Sequence, residues 1–287
     1  NSATHSGSPT IATTAGLTSN VGNVAITAVT NNLAANNYSF SYANGSLAIT
    51  PASLAVTGAN TSVIYSGVAQ TNSAATVTGL KNSDSFTISG YGTGTNYSAS
   101  AYADNLLATQ SAGTLASNYN ITYTNGGLSI GKANATLTAN SSNVTYTGLA
   151  QSVSGYTATG LVNNQTISVL TGVTASGATG TNAATYTNTV TGTDNNYNLT
   201  LVNGSLVIGK ANATVTANSS NVTYTGLAQS VSGFTATGLV NGETTSVLSG
   251  VTASGATGTN AATYTNTVTG TDSNYNLCLL YTSDAAD

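Results

Sequence analysis

Charge is the first thing that the sequence lacks. Lys and Arg together number three and Asp and Glu seven, so charged residues form 3% of the 287, against about 25% in an ordinary domain. All three cations are lysines, Lys81, Lys132 and Lys210, and they cannot form a basic face able to neutralise phosphates. We therefore expect no nucleic-acid partner. Because 40% of the residues are apolar, the composition also argues against disorder.

Residues that usually perform catalysis or bind metals are scarce as well. The only histidine, His5, lies in an irregular terminus, and the only cysteine is Cys278, so we expect no nucleophile–histidine pair and no structural disulfide. The acids before residue 278 are Asp84, Asp104, Asp194, Glu243 and Asp272. They are too far apart in sequence to suggest paired catalytic carboxylates. We predict that the protein is not an enzyme, has no catalytic, cofactor-binding or metal-binding residue, and uses no cofactor.

Membrane-spanning and targeting segments are also not apparent. No apolar run reaches the roughly 18 residues of a membrane-spanning helix. The first residues, "NSATHSGSPTIATT" (1–14), include neither Met nor a signal-peptide pattern. We therefore expect a fragment of a longer protein, without a membrane-spanning segment in the fragment itself.

Threonine, asparagine and glycine dominate instead, with 54, 35 and 31 residues. Thr, Val, Ile and Tyr favour strands, while Asn and Gly favour turns, so the composition predicts an all-β fold. In "ATYTNTVTGT" (184–193), apolar residues alternate with threonines, which is typical of an antiparallel sheet with one wet face. Asn188 interrupts the apolar face and is expected near a strand end. "NLTLVNGSLVIG" (198–209) predicts a hairpin closed by Asn203-Gly204.

The chain also repeats itself. Residues 132–199 and 210–277 match without a gap and differ at seven of 68 positions. A fainter copy begins at Pro51, and Tyr38, Tyr119, Tyr197 and Tyr275 are spaced 81, 78 and 78 residues apart. The pattern predicts tandem two-layer β-sandwiches, immunoglobulin-like, of about 78–81 residues and stacked end to end. The predicted division is 1–50 (end of a truncated repeat), 51–131 (diverged repeat), 132–209 (full repeat) and 210–277 (repeat without its final hairpin).

The ending departs from this pattern. After Leu277 the repeat predicts Thr-Leu-Val-Asn-Gly, as at 200–204, but the chain continues "CLLYTSDAAD" (278–287). These residues resemble the in-frame translation of a transposase-type sequencing adapter. We therefore interpret 278–287 as a non-native tail, the alternative being a genuine divergent ending, and we give Cys278 no redox or catalytic role.

Three stretches of the repeats carry a family resemblance. They are "KANATLTAN" (132–140), "YTG" at 146–148 and 224–226, and "GTDNNYNLTLVNGSLVIGKA" (192–211). Over residues 24–277 the chain resembles the mostly beta, glycine-rich (MBG) and YDG-type repeats of large bacterial surface proteins, which include filamentous-haemagglutinin-like adhesins. The Asp of Tyr-Asp-Gly is missing, since Thr147, Thr225 and Ser66 stand in its place.

The resemblance implies a non-enzymatic function. In such proteins the repeats act chiefly as stalk or display modules, so it implies a secreted or bacterial cell-surface protein, outer-membrane-associated or released, that supports cell adhesion or aggregation. The partners implied are a host or abiotic surface, glycans, or like chains. The alternative is that the repeats themselves bind glycan or a host-surface protein.

Several more specific sites were weighed against ordinary structural roles. Asp194 and Asp272 are either turn residues or weak calcium ligands. Internal Lys–Asn bonds are not expected, because the one lysine of each full repeat, Lys132 or Lys210, falls at the repeat boundary, and Gln165 stands where the later repeat has the acid Glu243. The threonine rows 185–191 and 263–269 suggest either a wet sheet face or an ice-binding array. Asn-x-Ser/Thr triplets for sugar attachment are numerous, among them those at Asn44, Asn134, Asn143, Asn198, Asn203, Asn212 and Asn221, and most are expected by chance in a chain so rich in Asn, Ser and Thr.

Overall fold

The computed structural model of the chain describes residues 5–29 and 33–281. Over these residues it contains 30 β-strands and three short 3₁₀ turns, and no α-helix. The predicted all-β class is confirmed. None of the helical turns in the described part has the length and apolar character that crossing a membrane requires. The chain divides into two compact units, Asn1–Lys132 and Ala133–Asp287.

The first unit contains thirteen strands and one 3₁₀ turn, Ala116–Asn118, among its described residues. The strands are β1 (Thr10–Thr13), β2 (Gly22–Val29), β3 (Gly45–Ile49), β4 (Ala52–Gly58), β5 (Asn60–Ile64), β6 (Gln70–Thr71), β7 (Ala75–Thr78), β8 (Phe86–Ser89), β9 (Thr93–Gly94), β10 (Tyr102–Ala103), β11 (Leu107–Gln110), β12 (Tyr119–Thr124) and β13 (Gly127–Gly131).

The second unit contains the remaining strands and the 3₁₀ turns Ile167–Val169 and Thr245–Val247. The strands up to residue 209 are β14 (Ala133–Ala139), β15 (Ser142–Thr145), β16 (Gln151–Val153), β17 (Tyr156–Thr159), β18 (Val173–Ala175), β19 (Ala178–Gly180), β20 (Ala184–Asn188), β21 (Val190–Gly192), β22 (Tyr197–Val202) and β23 (Gly204–Gly209). Those that follow are β24 (Ala211–Ala217), β25 (Gln229–Val231), β26 (Phe234–Thr237), β27 (Val251–Ala253), β28 (Ala256–Gly258), β29 (Val268–Gly270) and β30 (Tyr275–Leu280).

The strands of residues 132–209 form two three-stranded sheets, ordered β17-β14-β22 and β15-β23-β20, and two ladders, β16-β19 and β18-β21. β14 runs parallel to β22 and β15 parallel to β23, while the pairs with β17 and β20 are antiparallel. Residues 51–131 show the same pairing in β12-β4-β7 and β10-β13-β5. The sheets are therefore mixed, whereas the alternation had suggested antiparallel ones. Alternation determines the face that a side chain occupies, and it carries no information on the direction of the neighbouring strand.

The predicted hairpin at Asn203-Gly204 is wrong. β22 pairs with β14, and β23 pairs with β15 and β20, so the strands on either side of the dipeptide lie in different sheets. Neither residue has the positive φ that a tight primed turn needs. A Cβ on Gly204 would lie 2.3 Å from the carbonyl oxygen of Asn140 and 2.4 Å from that of Ala139. The dipeptide is therefore a corner at which the chain changes sheet, and the glycine allows two backbones to approach closely.

The core of the second unit follows the predicted alternation. Along β14, Ala133, Ala135, Leu137 and Ala139 are buried, and the residues between them are partly or fully exposed. The buried apolar cluster includes Tyr146, Leu206, Ile208, Val215, Leu248, Val251, Val268 and Tyr275. The closing strand β23 thus contributes Leu206 and Ile208 to the core, as an inward-facing strand should.

A buried amide satisfies the backbone at the corner. Asn188 is the last residue of β20, as expected from its place in the sequence, and it is fully buried. Its amide donates to the carbonyls of Asn140 (3.0 Å) and Gly155 (3.2 Å), and its Oδ1 accepts from the Gly177 amide (2.9 Å). Asn266 makes the corresponding bonds in the repeat at 210–277. Each of these polar groups would be costly to bury without a partner.

In residues 51–131 a buried Asn–Asp pair occupies the same place. Asn72 donates to the corner carbonyl of Ala59 (2.7 Å) and to both carboxylate oxygens of Asp104 (3.1 and 3.0 Å). The carboxylate also accepts from the backbone amides of Gly92 (2.8 Å) and Gly126 (3.2 Å). Both side chains are buried, and the carboxylate oxygens are satisfied by these hydrogen bonds from the protein.

The two versions of this corner predict a compensating pair of substitutions. Val153 and Asn188 stand in the complete repeat where Asn72 and Asp104 stand in the diverged one. Asn72→Val alone removes a donor to the buried carboxylate and is expected to cost about 2 kcal/mol. Adding Asp104→Asn should recover most of this loss. The check is hydrogen exchange of the β5 and β10 amides, and equal loss of protection in the single and double variants would contradict the prediction.

The threonine row at 185–191 is divided between sheets. Thr185 and Thr187 lie on β20, Thr191 lies on β21, and Thr189 falls between the strands. Because β20 pairs with β23 and β21 with β18, the row does not form one flat array of hydroxyls. This arrangement favours the wet sheet face over the ice-binding array.

Candidate functional site

Buried tyrosines meet a carboxylate where the second repeat (132–209) contacts the third (210–277). Tyr146 follows β15, and its backbone amide donates to the Gly209 carbonyl at 2.7 Å, which fixes it beside the end of β23. Its side chain is 6% exposed. Its ring packs edge to face on that of Tyr275, with the ring centres 5.4 Å apart and the planes at 81°.

Glu243 joins these two tyrosines. The hydroxyl of Tyr146 donates to Oε1 at 2.6 Å, and the hydroxyl of Tyr275 donates to Oε2 at 2.5 Å. The Val240 amide donates to the Tyr275 hydroxyl at 2.9 Å. We call Tyr146, Glu243 and Tyr275 the junction cluster. Because Tyr146 belongs to one repeat and the other two residues to the next, the cluster couples successive repeats through charge-assisted hydrogen bonds.

The "YTG" stretch is explained by this contact. Gly148 has φ of +74°, and a Cβ there would lie 2.9 Å from Cβ of Asn241 and 3.1 Å from Oε1 of Glu243. The tyrosine thus supplies the donor, and the glycine permits the third repeat to approach. Thr147, which stands at the missing Asp, is exposed, and its hydroxyl oxygen accepts from the Leu149 amide at 3.4 Å.

The tyrosines that begin β12, β22 and β30 make the same pair of bonds in the three repeats. The hydroxyl donates to a side chain 32 or 35 residues earlier in the chain, and it accepts from the backbone amide three residues before that side chain. The donors and acceptors are Tyr119 to Asp84 (2.6 Å), Tyr197 to Gln165 (2.5 Å) and Tyr275 to Glu243 (2.5 Å), and the amides are those of Lys81, Val162 and Val240. Tyr119, Tyr197 and Tyr275 are all buried and anchor the core, whereas Tyr38, which shares their spacing, is 65% exposed.

An asparagine next to this tyrosine makes a second contact between repeats. Oδ1 of Asn274 accepts from the Ala183 amide at 2.8 Å, and its amide donates to Oδ1 of Asn182 at 3.3 Å. In the first unit, Asn118 accepts from the Val21 amide at 2.9 Å in the same way. The Asn-Tyr dipeptide therefore positions both the neighbouring repeat and the local core.

The junction cluster predicts a loss of stability at alkaline pH. The hydrogen bond to Glu243, helped by burial, raises the pKa of Tyr146 from 10.0 to about 12, and burial with the same carboxylate raises the pKa of Tyr275. A raised folded-state pKa adds stability that is complete below pH 10 and is lost as pH approaches about 12. We expect the difference in melting temperature between the native chain and Tyr146→Phe to hold to about pH 10 and to shrink above it. A constant difference up to pH 11.5, measured by circular dichroism, would contradict this.

The residues weighed from sequence take ordinary structural places. His5 and Cys278 are exposed, and Cys278 lies in β30. Oδ1 of Asp194 accepts from the backbone amides of Asn196 (2.7 Å) and Tyr197 (3.1 Å), which confirms the turn interpretation. Lys210 donates to the backbone carbonyl of Asp272 at 2.7 Å. Within residues 5–29 and 33–281, no three His, Cys, Asp or Glu side chains are grouped to hold a metal ion.

Sequence reasoning missed the role of Glu243. Gln165 and Glu243 were noticed only as a difference between the two similar repeats. The available signal was an acceptor side chain that recurs before the repeated tyrosine even in the diverged repeat, 35 residues before Tyr119 and 32 before Tyr197 and Tyr275. A recurring acceptor near a buried tyrosine predicts a hydrogen bond to the phenol, because that hydroxyl needs a partner when it is buried.

Comparison with known proteins identifies the type of one repeat. Residues 135–207 match the profile of the MBG domain (YGX type) family, from within β14 to within β23. The matched stretch is about a quarter of the chain, and it confirms the MBG-type resemblance for the repeat at 132–209. The family consists of non-catalytic repeats typical of extracellular surface proteins. No curated protein and no solved structure gave a significant match.

Proposed function

We propose that the chain is a run of non-enzymatic stalk or display repeats of a secreted or cell-surface bacterial adhesin, with repeats at 51–131, 132–209 and 210–277. Its task is mechanical, since the repeats hold a distant binding region away from the cell. The observation behind the proposal is the junction cluster, in which one carboxylate accepts hydrogen bonds at 2.6 and 2.5 Å from tyrosines of two successive repeats. Such contacts suit a tandem array stabilised by its neighbours.

The composition agrees with this function. With so few charges, the wet surface is made mainly of hydroxyls and amides, as on the exposed threonines of β17. Such a surface has few ion pairs for salt to screen. The adapter-like residues 278–287 stay outside the proposal, and the part of them beyond residue 281 lies outside the described residues.

The experiment places the chain between an outer-membrane anchor and a peptide tag on a bacterium that retains its surface polysaccharide. Antibody-coated beads should capture these cells and should fail to capture cells in which a Gly/Ser linker of the same length replaces the chain. The physical reason is that folded repeats hold their ends apart, whereas a flexible linker coils. Equal capture by the two constructions would reject the stalk.

The competing function is direct binding of glycan or host protein by the repeats. A glycan array and a panel of host-surface proteins, probed with the purified full chain, separate the two functions. A stalk should bind neither above background. Saturable binding by the chain alone, with no tip domain present, would favour a binding module.

Association with like chains is a further proposal. The edge strands β17 and β22 contain Thr, Tyr, Asn and Leu but no Lys or Pro, the residues that usually protect a sheet edge. Light scattering of the full chain is expected to show mass rising with concentration, and Thr159→Lys on β17 should reduce that rise. A chain that stays monomeric at high concentration would contradict the proposal.

A further inference from the structure

One turn of the third repeat joins an Asn-Gly dipeptide to the junction cluster. Asn241 and Gly242 are its central residues, and both have positive φ, 52° and 70°, as a type I′ turn requires. The Glu243 amide closes the turn by donating to the Val240 carbonyl at 2.9 Å. The Val240 amide in turn donates to the Tyr275 hydroxyl, which itself donates to Glu243. The turn is therefore tied at both ends to the contact between the repeats.

The chain contains four Asn-Gly dipeptides, and their surroundings differ. At 125–126 and 203–204, the asparagine Oδ1 accepts from a backbone amide elsewhere in its repeat, at 3.2 Å in both, and the glycine packs against backbone. At 44–45 the glycine belongs to β3 and pairs with β2. Asn241 and Gly242 are exposed, and a Cβ on Gly242 would meet no atom of the described residues within 4 Å beyond its chain neighbours. This dipeptide thus has the space that a change of conformation needs.

An exposed Asn-Gly dipeptide is prone to lose the asparagine amide, because glycine has no side chain to obstruct attack by its own nitrogen. The Gly242 nitrogen gives up its proton and bonds to Cγ of Asn241, and ammonia leaves with the side-chain nitrogen. Water then opens the resulting five-membered imide by breaking one of its two C–N bonds. Breaking the bond to Cγ gives aspartate, and breaking the bond to the backbone carbonyl carbon gives isoaspartate. Neither step oxidises or reduces the chain.

We propose that Asn241 is a site of spontaneous deamidation and isomerisation, with water as the only co-reactant, and that the reaction loosens the contact between the second and third repeats. The contact then weakens with the age of the molecule. The inference rests on the turn and the junction cluster, and it does not depend on the proposed stalk function.

Both products disturb the junction cluster. Cβ and Nδ2 of Asn241 and Oε1 of Glu243 all lie within 3.3 Å of one point, the place that a Cβ on Gly148 would occupy. A carboxylate in place of this amide is therefore close to the Glu243 carboxylate and repels it. Isoaspartate also adds a methylene group to the backbone of the turn. The longer turn moves Glu243 away from the two phenols whose hydrogen bonds it accepts.

The corresponding turn of the second repeat provides a matched control. Its central residues, Asn163 and Asn164, have φ of 52° and 54°, and the same amide-to-carbonyl bond closes it at 3.0 Å. The turn therefore accepts asparagine at its second central position, where a side chain obstructs the attacking nitrogen. The variant Gly242→Asn should keep the turn and should react at Asn241 at least ten times more slowly than the native chain.

The test incubates the purified full chain in mildly alkaline buffer below its melting temperature and follows proteolytic fragments by mass spectrometry. Fragments that include Glu243 identify the third repeat, since the second has Gln165 there. Deamidation at Asn241 is expected to be at least ten times faster than at Asn125 and Asn203. An isoaspartate methyltransferase, which labels isoaspartate and leaves aspartate unlabelled, separates the two products.

Hydrogen exchange measures the effect on the contact between the repeats. Amides around Tyr146 should exchange at least ten times faster in chains that have reacted at Asn241 than in fresh chains. The Gly242→Asn variant, aged for the same time, should keep the exchange rate of the fresh chain. This comparison separates the reaction at Asn241 from any other change that accompanies incubation.

Two results would overturn the inference. A rate at Asn241 no faster than at Asn125 and Asn203 would mean that the open turn does not favour the reaction. Unchanged exchange around Tyr146 in chains that have reacted at Asn241 would mean that the turn does not maintain the contact between the repeats.

Discussion

Gly204→Ala is expected to destabilise the second repeat by about 3 kcal/mol, which is the upper part of the range for forcing extra atoms into a packed site. The new methyl group would lie 2.3 Å from the Asn140 carbonyl oxygen and 2.4 Å from that of Ala139. Both contacts are with backbone, so no side chain can rotate away to relieve them. The corner between β22 and β23 must then open, and Leu206 and Ile208 would lose their packing. Hydrogen exchange of β23 and a thermal melt measure the effect.

Gly209→Ala is the matched control for this prediction. Gly209 ends the same strand, and a Cβ there would meet only the Val144 carbonyl oxygen at 3.6 Å, an ordinary contact. The substitution should change stability by less than about 0.5 kcal/mol, as surface changes away from special features usually do. If Gly204→Ala proved as mild as Gly209→Ala, the corner would not be the closely packed crossing described above.

Glu243→Ala is expected to uncouple the second and third repeats, with a loss of about 3 kcal/mol from their contact. The substitution removes the acceptor of two buried phenols, Tyr146 and Tyr275, and an unsatisfied buried donor costs about 1–3 kcal/mol. Urea unfolding should change from a coupled transition of the two repeats to separate ones. Exchange of the amides around Tyr146 should accelerate, although that residue lies far from the substitution in sequence.

Glu243→Gln separates the loss of charge from the loss of the acceptor. Gln165 already accepts from Tyr197 at 2.5 Å in the second repeat, so an amide oxygen fits this position. We expect the glutamine variant to lose about 2 kcal/mol, less than the alanine variant, because its single amide oxygen can accept from only one of the two phenols and neutral hydrogen bonds are weaker than charge-assisted ones. If glutamine and alanine gave equal losses, the carboxylate would act through its charge and the hydrogen bonds would contribute little.

The fold class and the faces of the strands were predictable from the sequence, because both depend on local side-chain chemistry. Alternation along residues 133–139 predicts which residues face the core, and the strand-end position of Asn188 follows from a polar residue in an apolar row. The gap-free repetition of residues 132–199 in 210–277, with seven differences in 68 positions, further predicts that the two repeats share one fold. These inferences need no knowledge of which strand lies beside which.

Strand pairing was not predictable from the same information. Asn203-Gly204 has the composition of a tight turn, and only the crossing with Ala139 and Asn140 shows that the glycine serves close approach instead. The junction cluster was missed for a similar reason, since Tyr146 and Glu243 are 97 residues apart and belong to different repeats. Contacts over such distances depend on how the repeats are placed, and a single sequence does not contain that placement.

The parallel pairing of β14 with β22 and of β15 with β23 affects how the repeat resists being pulled from its two ends. A pull along the chain enters the second repeat at the start of β14 and leaves it at the end of β23. β14 is parallel to β22 over six residue pairs, and β15 is parallel to β23 over four. Opposing pulls therefore slide these strands lengthwise, and the hydrogen bonds of both ladders resist shear together. Terminal strands in an antiparallel hairpin would instead peel apart one bond at a time, so this topology suits a repeat that must stay folded while it is stretched.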